Sequence, residues 1–495
     1  MPKQTRRQLD KAMHNAPSYA AWVRAAKAHD ERSGKARWRE KVKSPLYDFT
    51  AIQRRLEELR ALRQKGDHRN LLYTLNQGIH GNLGGMGSSK LYRQSRFGTK
   101  NLVNDYIDEV VAALEHIAQT RSRSITFAER LEFFRRANHC FGQSALMLSG
   151  GATLSHFHVG VAKALSDESL LPSVISGSSG GSLVAAVLGT HSDDDLDYFF
   201  EPSNLVMEAK TEAGWMQNLL PFVAPRMDVR DLEEVLERVL PDVTFAEAYE
   251  ISGRYINVSI APYEQHQSSR LMNAITSPNV YVRKAVMASC AIPGVFPAVT
   301  LEAKSVKTGK RRAYLPRRKW IDGSMSQDMP VKRLSRLYGT NHYIASQVNP
   351  HVLWFLQDPK GRQNLWTTGF NAAFRSYQEW LRATQPLTHK LVRSFPPVEY
   401  LYRSFYSVAT QEYTGDITIT PRSRWFNPTR LLTRLTEKEL MALITEGEQA
   451  TYPKIEMVRN CTKISRALKQ ILNDYERRAL RGTHKQQGAK LVAVK

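Results

Sequence analysis

The middle of the chain alternates short apolar runs that stop at glycines with longer segments of helical period. One run covers residues 145–149 and ends on a glycine pair, and a second covers residues 174–176 and ends at a Gly-Ser turn. Runs of this length bounded by glycines are typical of buried strands. Each run is followed by a helical pattern, over residues 156–165 and 182–188. This repeated strand–turn–helix order predicts an α/β fold.

Helical periodicity dominates the chain on both sides of this segment. The upstream apolar faces are Ile52, Leu56, Leu59 and Leu62; Leu71, Leu72, Leu75 and Ile79; Leu102, Tyr106, Val110, Leu114 and Ile117; and Leu131, Phe133 and Phe134. Downstream, the pattern predicts helices over 228–240, 281–289 and 464–480, and strands over 254–261 and 342–347. We expect a three-layer α/β/α domain with a helical N-terminal region and a helical C-terminal extension.

Changes in polarity and charge divide the chain into five segments. We expect a basic, weakly ordered stretch over 1–44, a helical region over 45–140 and the α/β catalytic domain over 141–350. A helical, aromatic-rich extension follows over 351–480, and a basic tail over 481–495. The tail lacks acidic residues, which is typical of a flexible, solvated segment.

The second glycine turn has the spacing of a nucleophile elbow. Gly177, Ser179 and Gly181 form Gly-x-Ser-x-Gly between a predicted strand and a predicted helix. Only glycines fit beside the serine in so sharp a turn, and the serine oxygen emerges at the helix N-terminus, where amides favour a developing anion. The pattern alone is common in ordinary turns, but the flanking strand and helix favour Ser179 as a nucleophile.

A glycine-rich loop after the first strand supplies the second part that acyl transfer needs. Gly150, Gly151 and Ala152 can direct backbone N–H groups at the carbonyl oxygen that Ser179 would attack, as an oxyanion hole. A dinucleotide-binding loop is the alternative, but this loop does not have the Gly-x-Gly-x-x-Gly pattern. The sequence therefore predicts acyl-transfer chemistry at this pair of turns.

These two motifs and the segment WIDGS at 320–324 resemble the patatin-like phospholipase family. Within it, the chain is most similar to the triacylglycerol lipases of plants and yeast, from about Tyr47 to the segment around Asp416. The similarity includes the upstream segment NLGGMGSSKLYRQSRFGTKNLVNDYIDEV. The resemblance implies a lipid acyl hydrolase in which the elbow serine, Ser179, is the nucleophile. It also implies that the aspartate of the Asp-Gly motif, Asp322, is the base, without a histidine.

The glycine loop departs from the general pattern of that family. Ala152 stands where a third glycine is usual, Leu154 where a basic residue is usual, and Ser155 where a further glycine is usual. The lipase subgroup also has alanine at the first of these places. The backbone N–H groups remain, but a side chain restricts positive φ. The departures leave open which amides point into the oxyanion hole.

A histidine base is the alternative to the dyad, because most serine hydrolases use one. Three histidines lie downstream of the aspartate: His342, His351 and His389. That order would match an α/β-hydrolase triad, but their surroundings distinguish none of them, and we favour the dyad. His156 and His158 resemble a metal-binding pair, although residues two apart on a helix point to different sides. We assign no metal and no cofactor.

Composition narrows the setting in which the chain works. Its 495 residues carry a net charge of +23, and its three cysteines are odd in number without metal-binding spacing, which favours a reducing compartment. No apolar run approaches the roughly 20 residues of a spanning helix, and no apolar stretch follows the basic N-terminus. We expect a cytoplasmic protein that is soluble or peripheral on membranes or lipid bodies.

The sequence leaves the ester substrate open. Triacylglycerols, phospholipids and lysophospholipids share the acyl carbonyl, so a phospholipase A or lysophospholipase is the alternative to an acylglycerol lipase. By the resemblance, residues 290–297 border the acyl pocket; packing at the edge of the core is the alternative. A basic nucleic-acid-binding protein is an alternative of another class, but we find no nucleic-acid motif, and acidic residues are interspersed through most of the chain.

A basic segment ahead of Asp322 predicts contact with anionic lipid. Its cations are Lys304, Lys307, Lys310, Arg311, Arg312, Arg317, Arg318 and Lys319. Beyond Asp322, one helical face would carry Phe370, Phe374, Tyr377 and Leu381. Basic residues beside aromatic ones suit an element that lies on a membrane surface. A solvated loop and an ordinary core-facing helix are the alternative.

Overall fold

The computed structural model describes residues 5–79, 81–200, 229–264, 268–292, 296–324, 328–353, 415–422 and 435–492. The strands are β1 (Gln143–Leu148), β2 (Val174–Gly177), β3 (Tyr255–Pro262), β4 (Arg270–Asn273), β5 (Leu301–Lys304), β6 (Arg311–Tyr314), β7 (Trp320–Asp322), β8 (Thr340–Ser346) and β9 (Ile417–Ile419). Within these residues, seven strands form one sheet in the order β4-β3-β2-β1-β8-β9, with β7 also paired to β3. Strands β5 and β6 form a separate hairpin.

The sheet is parallel from β3 through to its β9 edge and antiparallel at β4 and β7. Strands β2, β1, β8 and β9 run parallel to their neighbours, as do β2 and β3, whereas β4 and β7 run antiparallel to β3. Leu146 and Leu148 of β1 belong to the core on one face, and Ala145 and Met147 belong to the core on the other. Parallel strands buried on both faces require nearly continuous apolar sequence. The predicted α/β/α layering is confirmed.

Helices cover both faces of the sheet and extend beyond it. Those of the N-terminal region after residue 44 are Phe49–Lys65, His68–Asn76, Ser89–Tyr92, Asn101–Gln119 and Phe127–Phe141. Those between the strands are His156–Asp167, Gly180–Thr190, Asp193–Phe200, Val229–Val239, Phe245–Ser252, Val282–Ser289, Val331–Tyr338 and Pro350–Leu353. The C-terminal helices are Glu437–Thr451 and Ile455–Val492.

The N-terminal region and the last helix share one hydrophobic core. Ile464, Leu468 and Tyr475 pack among the apolar faces of the N-terminal helices. The Tyr475 hydroxyl donates a hydrogen bond to the Ala118 carbonyl oxygen at 2.8 Å. The last helix therefore completes the core of the N-terminal region. The sequence pattern does not predict this packing, because the two segments are far apart along the chain.

The structure differs from the sequence expectation at both ends of the chain. Residues 5–40 are not weakly ordered but contain the helices Arg6–His14, Tyr19–Ser33 and Lys35–Glu40. They are anchored because Trp22 packs with Ala164 and Tyr452, which lie far along the chain. At the other end, the backbone of the expected tail continues the last helix as far as Val492.

No helix in the described part of the chain combines the length and apolar character needed to cross a bilayer. The three cysteines, Cys140, Cys290 and Cys461, are free thiols.

Candidate active site

The turn after β2 places Ser179 in a strained conformation at the start of helix Gly180–Thr190. Its φ of 49° and ψ of −131° are rare for a residue with a side chain. A Cβ on Gly177 would lie 2.3 Å from the Gly181 oxygen, and one on Gly181 would lie 2.5 Å from the Leu148 oxygen. Glycine is therefore required at both flanks, as the elbow prediction proposes.

Hydrogen bonds fix the backbone of Ser179. Its amide donates to the Ser289 hydroxyl at 2.9 Å, and that hydroxyl donates to the Ser259 carbonyl oxygen at 2.7 Å. The Ser182 hydroxyl donates to the Ser179 carbonyl oxygen at 2.6 Å. These bonds hold the strained turn in place, since strain persists only where its surroundings over-determine it. Sequence reasoning missed Ser289, which carries no local signal.

Asp322 reaches the elbow from an antiparallel strand. It ends β7 opposite Ile260 of β3, and its amide donates to the Ala291 carbonyl oxygen at 3.0 Å. Its Oδ1 accepts a hydrogen bond from the Ser324 amide at 2.7 Å, and the residue is 3% exposed. Because β7 runs antiparallel to β3, Asp322 is not at the carboxyl end of one of the parallel strands.

Burial makes Asp322 a stronger base than an exposed aspartate. Desolvation raises the pKa of its carboxyl to about 6, although Ser324 and the Ser179 hydroxyl beside it favour the charged form. The charge of Asp328 raises this pKa further. An exposed aspartate titrates near 3.9. The carboxyl can therefore take a proton from Ser179 more readily than the sequence alone suggests.

The glycine loop packs directly against the elbow. A Cβ on Gly150 would lie 3.3 Å from the Cβ of Ser179. The Gly150 amide donates to Oδ1 of Asp328 at 2.8 Å, so that N–H group is already engaged. Ala152 adopts a φ of 48°, the positive value that its side chain disfavours. The Gly150 amide is therefore removed from the predicted oxyanion hole, and the amides of Gly151 and Ala152 remain as the prediction.

The two helix histidines have separate partners. The Nε2 atom of His158 lies 2.9 Å from the Ser149 carbonyl oxygen and its Nδ1 atom lies 2.7 Å from the Ser346 hydroxyl. Burial lowers the pKa of His158 to about 4, which keeps its ring neutral. His156 instead donates from Nδ1 to the Thr153 carbonyl oxygen at 2.8 Å. Within the described residues, no cluster of potential metal ligands is found.

Of the three downstream histidines, the side chain of His342 is described, and it lies away from Ser179. His342 hydrogen-bonds through Nδ1 to Ser144, near the start of β1, whereas the elbow lies at the opposite end of the strands. The four residues from Ser144 to Leu148 span about 13 Å at strand rise. His389 and the side chain of His351 lie outside the described residues.

An apolar cavity of about 180 Å³ opens beside Ser179. Helices Gly180–Thr190 and Val229–Val239 provide much of its wall, and Cys290, Ile292 and Phe296 line it as well. These last three belong to the segment predicted to border an acyl pocket; residues 293–295 lie outside the described ones. Arg238 and His156 are polar groups in an otherwise mainly apolar lining.

Comparison with known proteins finds family matches for two regions of the chain. Residues 146–334 match the patatin-like phospholipase family, and residues 1–139 match a domain of unknown function, DUF3336. The elbow, the cavity and strands β2 to β7 lie within the first of these regions, whereas β8 and β9 follow it. This defines the α/β domain as a patatin-like domain.

Named relatives cover most of the chain. Triacylglycerol lipase ptl3 of Schizosaccharomyces pombe is 32% identical over 90% of this chain and 93% of its own length. Triacylglycerol lipase 4 of Saccharomyces cerevisiae is 32% identical over 90% of this chain, which spans about half (51%) of that relative. Triacylglycerol lipase SDP1L of Arabidopsis thaliana is 30% identical over 94% of this chain and 59% of its own length. The chain belongs to the patatin-like phospholipase family, and the predicted resemblance is confirmed.

Proposed function

We propose that the chain is a serine lipid acyl hydrolase that cleaves carboxylic esters of acylglycerols, with Ser179 as nucleophile and Asp322 as base. The observation that carries this proposal is the buried Asp322 carboxylate beside the Ser179 hydroxyl, at the wall of an apolar cavity. The relatives named triacylglycerol lipases support an acylglycerol substrate.

The dyad performs acyl transfer in two balanced steps. Ser179 Oγ attacks the ester carbonyl carbon while its proton passes to Asp322, and the oxyanion receives hydrogen bonds from the Gly151 and Ala152 amides. The intermediate collapses as the alcohol leaves with the proton from Asp322, which produces an acyl-enzyme. Water then gives a proton to Asp322 and attacks the acyl carbon. Collapse returns that proton to Ser179 and releases the carboxylic acid.

A direct experiment tests the substrate class. Mixed vesicle and emulsion substrates of triolein and phosphatidylcholine are incubated with the enzyme, and fatty acid, diacylglycerol and lysophosphatidylcholine are quantified. Diacylglycerol as the main second product supports acylglycerol hydrolysis. Lysophosphatidylcholine as the main product supports the phospholipase alternative. The presence of Arg238 among the residues that line the cavity favours this alternative, since a guanidinium can pair with a phosphate.

Filling the cavity is expected to shorten the acyl chain that the enzyme accepts. Val187 lies on the elbow helix and lines the cavity, so Val187→Trp would occupy space that long acyl chains need. We expect kcat/KM to fall by about tenfold or more on a dodecanoyl ester, since a methylene in an apolar pocket contributes about 1–3 kcal/mol. On an acetyl ester it should change less than about twofold. Equal losses on both esters would contradict the acyl-pocket assignment.

We propose that the basic hairpin docks the enzyme on an anionic lipid surface. The basic hairpin comprises β5, β6 and the segment that follows them up to Lys319. At its tip, Val306 is 81% exposed beside the exposed cations Lys307 and Lys310. Arg311 pairs with Asp242, just beyond the helix Val229–Val239 that lines the cavity. This ion pair places Arg311 beside the segment that follows the cavity-lining helix.

Two cations of the basic hairpin form ion pairs with acidic residues and are therefore less available to bind lipid. Arg311 pairs with Asp242 and Glu302 and stacks on the Tyr281 ring, and Lys304 pairs with Glu247 at 2.6 Å. Both therefore contribute to the packing of the hairpin and are poor sites for a charge-reversal test. The aromatic helix predicted at Phe370, Phe374, Tyr377 and Leu381 lies outside the described residues.

Reversing the charge of Lys307, Lys310 and Arg312 together to glutamate is expected to weaken binding to phosphatidylserine-containing vesicles by on the order of 100-fold at low salt. Each cation near an anionic surface contributes about 1 kcal/mol, and salt screens exposed charges. Vesicle sedimentation measures the binding. Hydrolysis of a short soluble ester should be unchanged.

The matched control reverses Arg54, Arg121 and Arg123, three exposed arginines of the N-terminal region, for the same change in net charge. It should bind vesicles within about threefold of the unmodified protein, because only charges near the membrane surface contribute to binding. Equal weakening by both triple variants would show that net charge, and not the hairpin, determines binding.

A further inference from the structure

A second buried carboxylate lies between the glycine loop and the nucleophile elbow. Asp328 is 1% exposed and lies shortly after Asp322 in the sequence. Its Oδ1 atom accepts hydrogen bonds from the Gly150 amide at 2.8 Å and from the Ser178 hydroxyl. Its Oδ2 atom accepts one from the Asn349 side-chain amide at 3.2 Å.

These bonds join the two turns that form the active site. Gly150 follows β1 and begins the loop that carries the proposed oxyanion amides, and Ser178 directly precedes the nucleophile. One carboxylate oxygen is shared between them. Asn349, which follows β8, holds the other oxygen, so the carboxylate cannot rotate freely. The Asp328 side chain therefore bridges the loop and the elbow.

The donors around Asp328 favour its charged form. An ionised carboxylate only accepts hydrogen bonds, and the Gly150 amide, the Ser178 hydroxyl and the Asn349 amide all donate. Burial raises the pKa of Asp328 to about 6, and these partners oppose that rise. An asparagine in its place would keep one acceptor but direct its own NH₂ group at a neighbouring donor.

We infer that Asp328 is a positioning residue, whose carboxylate holds the Gly151 and Ala152 amides at a fixed distance from Ser179 Oγ. The inference rests on the proposed function, because it assigns Asp328 to the same reaction. Asp328 acts through the loop and the elbow and needs no contact with the substrate. Such preorganisation matters because a displacement of about 1 Å can cost about 100-fold in rate.

Asp328 also acts on the proposed base through its charge. The groups of the described residues that face Asp322 are Asp328, the Cys290 thiol and the Ser179 and Ser324 side chains. Burial raises the pKa of Cys290 to about 12, so this thiol is neutral where Asp322 titrates. Removing the charge of Asp328 therefore lowers the pKa of Asp322.

Two variants of Asp328 separate its geometry from its charge. Asp328→Asn should lower kcat on a short soluble ester by about 10–100-fold with KM within about twofold, and should move the acid limb of kcat/KM to lower pH. Asp328→Glu keeps the charge but displaces the carboxylate by one methylene. It should lower kcat similarly while the acid limb stays in place.

Asp30→Asn is the matched structural control. Asp30 is fully buried and accepts the amides of Arg96 and Phe97 at 2.8 and 2.9 Å, in the N-terminal region. This substitution should lower thermal stability without changing kcat per folded enzyme or the acid limb. Comparison of Asp328→Asn with Asp30→Asn therefore separates a loss of catalytic positioning from a loss of stability alone.

The inference is overturned if Asp328→Asn keeps the unmodified kcat and acid limb, or if it loses only folded protein as the Asp30 control does. If Asp328→Asn does not fold, the variants Ser178→Ala and Asn349→Ala test the inference instead. Each removes one partner of the carboxylate and should lower kcat by about threefold or more, and unmodified kcat in both would overturn the inference. Full activity of Ser179→Ala would instead refute the proposed function itself.

Discussion

Replacing Ser179 with alanine is expected to lower kcat for ester hydrolysis by about 10⁴-fold or more and to remove labelling by an alkylphosphonate probe. The substitution deletes the only atom that the proposed mechanism bonds to the acyl group, and loss of a catalytic serine has effects of this size. Alanine can occupy the same strained backbone position as serine, so the fold should persist. Turnover of a soluble ester and intact-protein mass spectrometry measure the two outcomes.

Ser122→Ala, in the loop before helix Phe127–Phe141, controls for removal of a serine hydroxyl elsewhere. It should label and hydrolyse as the unmodified enzyme does. Labelling and hydrolysis that survive in Ser179→Ala, at unchanged melting temperature, would eliminate Ser179 as the nucleophile.

Asp322→Asn is expected to lower kcat by about 10³-fold or more while Ser179 remains in place. The asparagine side chain cannot accept the serine proton, yet it matches the shape of the buried carboxyl. The loss of a general base accounts for about 10²–10⁴-fold, and the dyad has no second base to compensate. Steady-state turnover and circular dichroism together measure activity and folding.

The same carboxylate sets the expected pH dependence of the unmodified enzyme. Asp322 must be ionised to act as a base, and its pKa is raised to about 6. Activity should therefore be lost as pH falls through about 6, and kcat/KM, which reports the free enzyme, should drop at least tenfold per pH unit below it, because Asp328 titrates in the same range. An acid limb near pH 4 would show that Asp322 is not the titrating base.

Alanine at His342, His351 or His389 tests the triad alternative. Each variant should keep most of the activity, since the dyad assigns no proton transfer to a histidine. His342 in particular lies at the other end of the strands from Ser179. A loss of several orders of magnitude at any one of them, with folding preserved, would replace the dyad with a triad.

The local sequence was enough to predict the elbow and the layered fold. At Gly177 the backbone of the nearby Gly181 lies where a side chain would begin, so that constraint is local, whereas the clash at Gly181 is with Leu148 of β1. The apolar runs of β1 and β2 likewise reflect burial on both faces of the sheet. The antiparallel entry of Asp322 could not be predicted, because β7 pairs with β3 across more than 50 residues of chain.

What the sequence alone determined is thus the set of short-range features: the strand–turn–helix units, the strained position of Ser179 and the glycine loop beside it. The tertiary structure decided the rest. It brought Asp328 to Gly150 and Ser178, buried Asp322 enough to raise its pKa, and packed Trp22 and the last helix into cores formed by distant segments. Burial and long-range hydrogen bonds depend on residues that meet only when the chain folds, so no local pattern records them.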